Sequence, residues 1–304
     1  MPRAPFVIFG RLFAIAAVAV AAMGFSAFDM LDNFMPKDSG AGQMARDVPF
    51  GAGPRRTLDI YAPDGLANAA PVILFIYGGS WNRGEKRDYE FAGYALAARG
   101  FVTVIADYRV VPEVTYPGFV EDGAAAIRWI ERNIATFGGD PKRLFLVGHS
   151  AGAYNAVMLA LEPSFLRDAG ATVAVRGVAA LSGPFSFYPF RVGEAEAAFG
   201  NAPNPEGTQP VNLVTRDSPP MFLASGEADL IVRPSNTTLL ADALRAKQVR
   251  VESVFYPGLG HMDPVMALST LWRARAPVLD QITAFFTSLG AFNPASTEPP
   301  LLSP

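Results

Sequence analysis

The chain has 304 residues, of which 50% are hydrophobic and 17% are charged, and this balance is typical of a globular protein rather than a disordered one. Its net charge of -3 comes without a basic stripe, so no nucleic-acid partner is expected. The absence of cysteine excludes disulfides, thiolate metal sites and a cysteine nucleophile. Any mechanism that needs an imidazole must use one of the two histidines, His149 and His261.

The N-terminal part of the sequence contains an apolar run from Leu12 to Phe28, preceded by Arg3 and Arg11. As a helix the run would be roughly 25 Å long, marginally short of a hydrocarbon core of about 30 Å. The positive-inside rule keeps its N-terminus in the cytoplasm and sends the following chain out. Residues 1–28 are therefore predicted to be a signal peptide or membrane anchor of a membrane-anchored or exported, periplasm-facing protein. The alternative is a hydrophobic helix docked on a cytoplasmic protein.

The rest of the chain alternates short β-branched runs with longer helical stretches, which is typical of βαβ units around a mainly parallel sheet. The predicted strands are Met44–Phe50, Thr57–Ala62, Val72–Tyr77, Val102–Asp107, Leu144–Val147, Val178–Leu181, Met221–Ser225 and Val251–Phe255. The predicted helices are Tyr89–Ala98, Val120–Thr136, Ala151–Leu161, Ser235–Ala246 and Pro264–Leu289. We predict one α/β domain over residues 29–290, with a short aromatic cap inserted at about 185–217 and a flexible tail over 291–304.

The most informative motif is Gly-His-Ser-Ala-Gly at 148–152, between the predicted strand Leu144–Val147 and a helix of small residues. A serine on a tight strand-to-helix turn exposes its hydroxyl, and flanking glycines leave room for the strained backbone. The start of the helix also favours developing negative charge. A chance occurrence of this five-residue pattern is common, but the strand and the helix around it favour Ser150 as a nucleophile.

This stretch resembles the nucleophile elbow of α/β-hydrolases, and the resemblance covers roughly residues 57–289. It implies an α/β-hydrolase fold, with a mostly parallel central sheet flanked by helices and a cap insertion. The family's chain order of serine, acid and histidine implies Asp229 as the acid and His261 as the general base. Asp229 would orient the imidazole and stabilise its cationic form, while His261 would take the Ser150 proton and return it to the leaving group.

Three other residues compete for these roles. Glu227 is a rival acid, but the family's acid falls two residues after it. Asp263 is too close to His261 along the chain to reach around the ring. His149 adjoins Ser150, where its side chain should point away from the hydroxyl, and we interpret it as a packing residue. The alternative for His261 is a loop histidine without a role.

The predicted strand Val72–Tyr77 ends in Gly-Gly-Ser-Trp at 78–81. This segment resembles the His-Gly-Gly-x-Trp oxyanion motif of bacterial carboxylesterases, including feruloyl-esterase-like proteins. The resemblance implies an oxyanion hole made by the backbone N–H groups of Gly79, Ser80 and Ala151. Gly78 is a substitute donor.

The sequence departs from this motif at Tyr77, which stands where the motif usually has histidine. The histidine before the Gly-Gly pair is also replaced in isoprenylcysteine methylesterase-like proteins. Tyr77 therefore bears on which subfamily the chain resembles more than on which reaction is expected. Asp107, Arg109 and Asp122 also resemble the pattern of these esterases. We interpret Asp107 and Arg109 as braces of the loop near the oxyanion hole.

Trp81, Phe185 and Tyr188 are predicted to line an apolar substrate pocket, and ordinary packing of the cap is the alternative. No metal or nucleotide motif is found, so neither a metal nor a cofactor is expected. The prediction is a serine hydrolase that cleaves small carboxylic esters, of short to medium acyl length, through an acyl-enzyme. The alternatives are an amidase that resembles kynurenine formamidase, and a non-catalytic binding protein of the same fold.

Overall fold

The computed structural model describes residues 35–292, so the apolar run 12–28 lies outside the described residues. Within the described part of the chain, no helix is both long and apolar enough to cross a membrane. Membrane association through residues 12–28, and the localisation that follows from it, therefore stay predictions. The first two residues of the predicted tail are packed: Ala291 is fully buried, and the ring of Phe292 lies 5.0 Å from that of Phe101. The rest of the predicted tail, residues 293–304, lies outside the described residues.

Residues 35–292 contain eight strands: β1 (Ala41–Pro49), β2 (Thr57–Pro63), β3 (Ala70–Ile76), β4 (Val102–Ala106), β5 (Gly139–His149), β6 (Val175–Leu181), β7 (Met221–Gly226) and β8 (Val251–Tyr256). They form one sheet in the order β1-β2-β4-β3-β5-β6-β7-β8. The pairs β1/β2 and β2/β4 are antiparallel, and the other neighbours are parallel. The predicted mainly parallel sheet is confirmed.

Eight α-helices lie in the same residues: α1 (Glu90–Ala97), α2 (Gly118–Asn133), α3 (Ala151–Leu161), α4 (Ser164–Ala169), α5 (Gly193–Phe199), α6 (Ser235–Ala246), α7 (Asp263–Met266) and α8 (Val278–Ser288). Every residue of β3 is buried, as expected for a central parallel strand that is covered on both faces. Helix α1 contacts α8, and α2 contacts α3. The stretch predicted as a cap lies between β6 and β7 and contains α5 and two short 3-10 turns.

The predicted single helix Pro264–Leu289 is wrong. The structure has α7, a 3-10 turn at Arg273–Arg275 and then α8. Ala276 is extended, with φ -158° and ψ 144°, and it precedes Pro277. Proline disfavours helical backbone in the residue before it and lacks an N–H for the helix, so the chain restarts its helix only after Pro277.

The ends of the parallel strands place the predicted site at one edge of the sheet. Ser150 follows β5, and Gly79 lies just past the end of β3. Asp229 and His261 lie in the loops that follow β7 and β8. In open α/β sheets, ligands bind outside the carboxyl ends of the strands, which is where these four residues lie.

A buried ammonium group supports this edge of the sheet. Lys86 is only 3% exposed, and its Nζ lies 3.3 Å from Asp107 and 3.6 Å from Asp59. It also pairs with Asp47. Burial by itself would lower the pKa of Lys86, but the bond to Asp47 and the nearby carboxylates raise the pKa above its ordinary value. The charged lysine therefore ties β1 and β2 to the end of β4.

Replacing this lysine tests its contribution to stability. Lys86→Met should lower the free energy of unfolding by about 3–5 kcal/mol, because Asp59 and Asp107 would stay buried without their cation. Urea denaturation measures the loss. Lys37→Met is the matched control: Lys37 is 37% exposed where it pairs with Glu90, so we expect a change of less than about 1 kcal/mol. Equal losses in both variants would contradict the proposed role of Lys86.

Candidate active site

Ser150 lies at the junction of β5 and α3 with φ 54° and ψ -122°, a strained backbone for a residue with a side chain. The two glycines of the motif permit this turn. A Cβ on Gly148 would lie 2.3 Å from the carbonyl oxygen of Gly152, and one on Gly152 would lie 2.0 Å from that of Ile76. The N–H of Ser150 donates to the carbonyl of Leu181 at 2.9 Å, which fixes the turn to β6.

The predicted serine, histidine and acid lie in hydrogen-bonding contact. His261 Nε2 is 2.9 Å from Ser150 Oγ, and His261 Nδ1 is 2.8 Å from Asp229 Oδ2. The other oxygen, Asp229 Oδ1, accepts the N–H groups of Ile231 and Val232, each at 2.9 Å. Because an ionised carboxylate only accepts, Nδ1 carries the proton of the neutral ring. Nε2 is then free to accept the proton of the Ser150 hydroxyl.

The two rival acids lie elsewhere. Glu227 is exposed on the surface. Asp263 accepts the N–H of Gly260 at 2.6 Å and pairs with Arg275. Asp263 therefore supports the backbone just before His261, and the carboxylate that contacts the His261 ring is that of Asp229.

The three predicted oxyanion donors have no competing acceptor. Within residues 35–292, the backbone N–H groups of Gly79, Ser80 and Ala151 donate to no protein group. Gly79 has φ 142°, and a Cβ there would lie 2.1 Å from the carbonyl oxygen of Arg83. The Ser80 backbone also has a positive φ, at 51°. The three N–H groups therefore remain the candidate donors to a ligand oxygen.

The substitute donor, Gly78, lies between Tyr89 and the elbow. Burial raises the pKa of the Tyr89 phenol, which the backbone N–H of Gly78 lowers in part. A Cβ on Gly78 would lie 2.9 Å from both His149 Nδ1 and Ser150 Cβ, so the loop passes directly over the elbow.

Tyr77 supports the loop that follows β3 and carries Gly79 and Ser80, which is called the oxyanion loop below. Its hydroxyl donates to Asp107 Oδ1 at 2.9 Å, and its carbonyl accepts the Tyr108 hydroxyl at 3.0 Å. Burial raises the pKa of Tyr77, so this phenol keeps its proton. Arg109 lies slightly farther from the loop, where it binds Asp122 of α2 through its guanidinium and its N–H. Asp107 is thus a direct brace of the loop, and Arg109 acts on the neighbouring segment.

His149 is buried, as the packing interpretation expects, but its ring makes two hydrogen bonds. Nδ1 lies 3.3 Å from the hydroxyl of Tyr89, and Nε2 lies 3.3 Å from the carbonyl oxygen of His261. Burial and, to a lesser extent, the charge of His261 lower the pKa of His149 to about 3. His149 therefore stays neutral at physiological pH.

A cavity of about 320 Å³ opens at Ser150. It is lined by Gly78, Gly79, Ser80, Arg83, Gly84, Asp88, Tyr89, His149, Ser150, Ile231, His261 and Met262. A larger groove of about 900 Å³ lies between α2 and α4 and shares none of these residues. The smaller cavity is the candidate active site because groups capable of nucleophilic chemistry, Ser150 and His261, line it.

The predicted pocket residues lie outside the lining of this cavity. Trp81 is buried, donates from its indole N–H to Asn155 at 3.1 Å, and packs edge-on against Phe199. Phe185 is fully buried, and Tyr188 is 47% exposed. The sequence reasoning missed Tyr89, Ile231 and Met262, which do line the cavity. Tyr89 ends a 3-10 turn before α1, whereas Ile231 and Met262 lie in the loops after β7 and β8, and no motif in the sequence marks them.

The BD-FAE family model matches residues 58–244 of this chain. The chain belongs to the BD-FAE family. The resemblance that the motifs indicated is thereby confirmed, and the match includes the elbow and the oxyanion loop. It ends before His261, which lies in the C-terminal part of the domain.

Curated proteins similar in sequence to this BD-FAE protein are named as esterases. An isoprenylcysteine alpha-carbonyl methylesterase of Arabidopsis thaliana is 30% identical over 243 residues, which are 73% of this chain and 57% of the relative. A second, probable methylesterase of that plant is 29% identical over 83% of this chain and 64% of its own length. Esterase LipC of Mycobacterium tuberculosis is 29% identical over 71% of this chain and 59% of its own length. The chain thus spans less than two thirds of each of these relatives.

Solved structures confirm the predicted α/β-hydrolase fold. Esterase B from Lactobacillus rhamnosis has a TM-score of 0.76 and 20% identity, over 92% of this chain and 95% of that one. A propionate-bound esterase from Thermogutta terrifontis has a TM-score of 0.69 and 24% identity, over 85% and 98% of the two chains. At sequence identities of 20% and 24%, these two structures show a similar fold and nothing further.

The neutral state of His149 predicts a pH dependence of stability. Burial lowers its pKa from 6.5 to about 3, so below pH 6.5 the unfolded chain binds a proton here that the folded chain does not. This contribution to the free energy of unfolding is complete above pH 6.5 and is lost as the pH falls toward 3, by about 1.4 kcal/mol per pH unit.

His149→Gln removes this titration and keeps a polar side chain. Between about pH 7.5 and about pH 5.5, its urea-unfolding free energy should fall by roughly 1.4 kcal/mol less than that of the unaltered protein. Parallel losses in the two proteins would show that His149 is not held neutral.

Proposed function

We propose that this BD-FAE protein is a serine hydrolase that cleaves carboxylic esters through an acyl-enzyme on Ser150. The observation that carries the proposal is the contact of Ser150 Oγ with His261 Nε2 at 2.9 Å, continued by the contact of His261 Nδ1 with Asp229 at 2.8 Å. Three unengaged N–H groups adjoin this serine. The names of the curated relatives, methylesterases and esterases, support the ester class.

In the acylation step, His261 Nε2 accepts the hydroxyl proton as Ser150 Oγ attacks the ester carbonyl carbon. The carbonyl oxygen becomes an oxyanion, which the N–H groups of Gly79, Ser80 and Ala151 stabilise. The carbon–oxygen bond to the alcohol then breaks, and His261 returns the proton to the departing alcohol oxygen. Ser150 is left as an ester of the acyl group.

In the deacylation step, a water molecule takes the place of the alcohol. His261 removes one proton from the water as its oxygen attacks the acyl carbon, and the same N–H groups stabilise the second oxyanion. The bond to Ser150 Oγ breaks, and the serine oxygen recovers a proton from His261. Asp229 keeps its charge throughout and stabilises the imidazolium that forms in each step.

The acyl preference that we propose is short to medium. The cavity of about 320 Å³ is at the lower end of ordinary ligand sites, which span about 300–1,000 Å³. Two apolar side chains, Ile231 and Met262, belong to its lining. Ile231 is 73% exposed, so it lies where the cavity opens to solvent. The ester group can therefore reach Ser150 while a long chain would have to leave the cavity past Ile231.

Replacing Ser150 tests the nucleophile. A fluorophosphonate probe should label one serine in the unaltered protein, and Ser150→Ala should abolish the labelling and lower ester turnover by at least about 1,000-fold. Ser269→Ala is the matched control, since Ser269 is also buried but its hydroxyl donates to the carbonyl of Met266. Stoichiometric labelling of Ser150→Ala would rule out the assignment. Faster cleavage of anilides than of matched esters would favour an amidase.

A pair of neighbouring substitutions tests the acyl preference. Ile231→Trp should lower kcat/KM for an octanoate ester roughly tenfold and for an acetate ester much less, because the larger side chain narrows the cavity. Leu230→Trp is the matched control, since Leu230 is 88% exposed and does not line the cavity. Equal effects of the two substitutions, or faster hydrolysis of emulsified triolein than of soluble butyrate esters, would refute the preference.

A further inference from the structure

His149 lies where three segments of the site meet. It immediately precedes Ser150 in the elbow, and Gly78 of the oxyanion loop passes so close that a Cβ there would lie 2.9 Å from His149 Nδ1. On the other side, its Nε2 lies 3.3 Å from the main-chain carbonyl oxygen of His261. The ring centroids of the two histidines are 5.1 Å apart. His149 therefore contacts the backbone, rather than the imidazole nitrogens, of the predicted general base.

The direction of each hydrogen bond follows from the chemistry of its partners. The carbonyl of His261 can only accept, so Nε2 of His149 carries the proton. In a neutral ring Nδ1 is then an acceptor, and the hydroxyl of Tyr89 donates to it. Two donors thus follow one another, from the hydroxyl of Tyr89 through the ring of His149 to the carbonyl of His261.

We propose that His149 is a positioning residue for ester hydrolysis, which holds the main chain of His261 so that Nε2 of the general base stays within reach of Ser150. The assignment rests on the function proposed above. A misplacement of about 1 Å between reacting groups can cost on the order of 100-fold in rate, so the main chain under His261 needs a fixed partner. His149 supplies that partner from the same elbow that carries Ser150.

Apolar packing alone would not need these atoms. An apolar side chain of similar size would fill the space between Tyr89 and His261 but would leave the buried Tyr89 hydroxyl without this acceptor and the His261 carbonyl without this donor. The ring of His149 also lies against the oxyanion loop, since a Cβ on Gly78 would lie 2.9 Å from its Nδ1. A single neutral imidazole thereby contacts the oxyanion loop and holds the main chain of the base beside the nucleophile.

Two amide variants distinguish the contributions of the two ring nitrogens of His149, each of which makes one hydrogen bond. In His149→Gln the side-chain amide nitrogen reaches the position of Nε2 and can still donate to the His261 carbonyl. In His149→Asn the shorter amide reaches only the position of Nδ1, where its oxygen can accept from Tyr89. His149→Leu provides neither bond.

The expected result is a split between these variants. His149→Gln should keep kcat within about threefold of the unaltered protein, whereas His149→Asn and His149→Leu should lose about 10-fold to 100-fold in kcat with little change in KM. The rate of fluorophosphonate labelling of Ser150 should fall in the same order. Both measurements are expressed per labelled site at completion, so a fraction of unfolded protein does not affect them.

The tautomer provides a spectroscopic readout. The chain has two histidines, so ¹⁵N spectra of the full chain and of His149→Gln identify the His149 nitrogens by difference. The expected spectrum shows a neutral ring protonated at Nε2 that does not titrate between about pH 5 and about pH 8. A ring protonated at Nδ1, or one that titrates in this range, would overturn the proposal.

Kinetics can overturn it as well. The positioning role is refuted if His149→Leu keeps the labelling rate of the unaltered protein, or if His149→Gln loses as much as His149→Leu. Failure of the proposed function has a different signature. If the unaltered protein cleaves no ester in a panel of acyl and alcohol groups, the labelling rate of Ser150 and the tautomer of His149 still decide whether His149 positions the base.

Discussion

The rest of the site depends on the close approach of the first turn of α3 to the end of β3. A Cβ on Gly152 would lie 2.0 Å from the carbonyl oxygen of Ile76 and 2.3 Å from that of Tyr77, so only a glycine lets the helix start there. This contact brings the backbone N–H of Ala151 next to the loop that begins after Tyr77. Ser150, the start of α3 and the oxyanion loop therefore pack against one another, so a displacement of any one of them would displace the other two.

Two buried basic side chains lie near this contact, and their surroundings hold them in opposite charge states. Lys86 faces three carboxylates, which raise its pKa although burial opposes the charge. His149 faces a hydroxyl, a carbonyl and the second imidazole, so burial lowers its pKa to about 3. The difference suits the proposed chemistry, because His261 becomes positively charged in each step and a second charge 5.1 Å away would oppose it. The buried side chain that stays positively charged is instead Lys86, which pairs with Asp107 beside the oxyanion loop.

The amino-acid sequence determined the parts of the protein that depend on local backbone chemistry. The Gly-x-Ser-x-Gly spacing after a buried strand predicted the turn at Ser150, since only small neighbours allow it. The alternation of strands and helices predicted the parallel sheet, and the order of Ser150, Asp229 and His261 along the chain placed each one at the end of a strand. These predictions hold because strand ends meet at one edge of the sheet whatever the details of the loops.

Only the tertiary structure decided how the loops use their side chains. His149 is 60 residues from Tyr89 and 112 residues from His261, and no local pattern encodes a contact over such separations. The lining of the cavity by Ile231 rather than Trp81 likewise depends on how the cap packs, since Trp81 turns inward to Asn155. Local sequence fixes which backbone turns are allowed. Which donors and acceptors then meet depends on the packing of segments that are distant along the chain, and this is settled only when the whole sheet has formed.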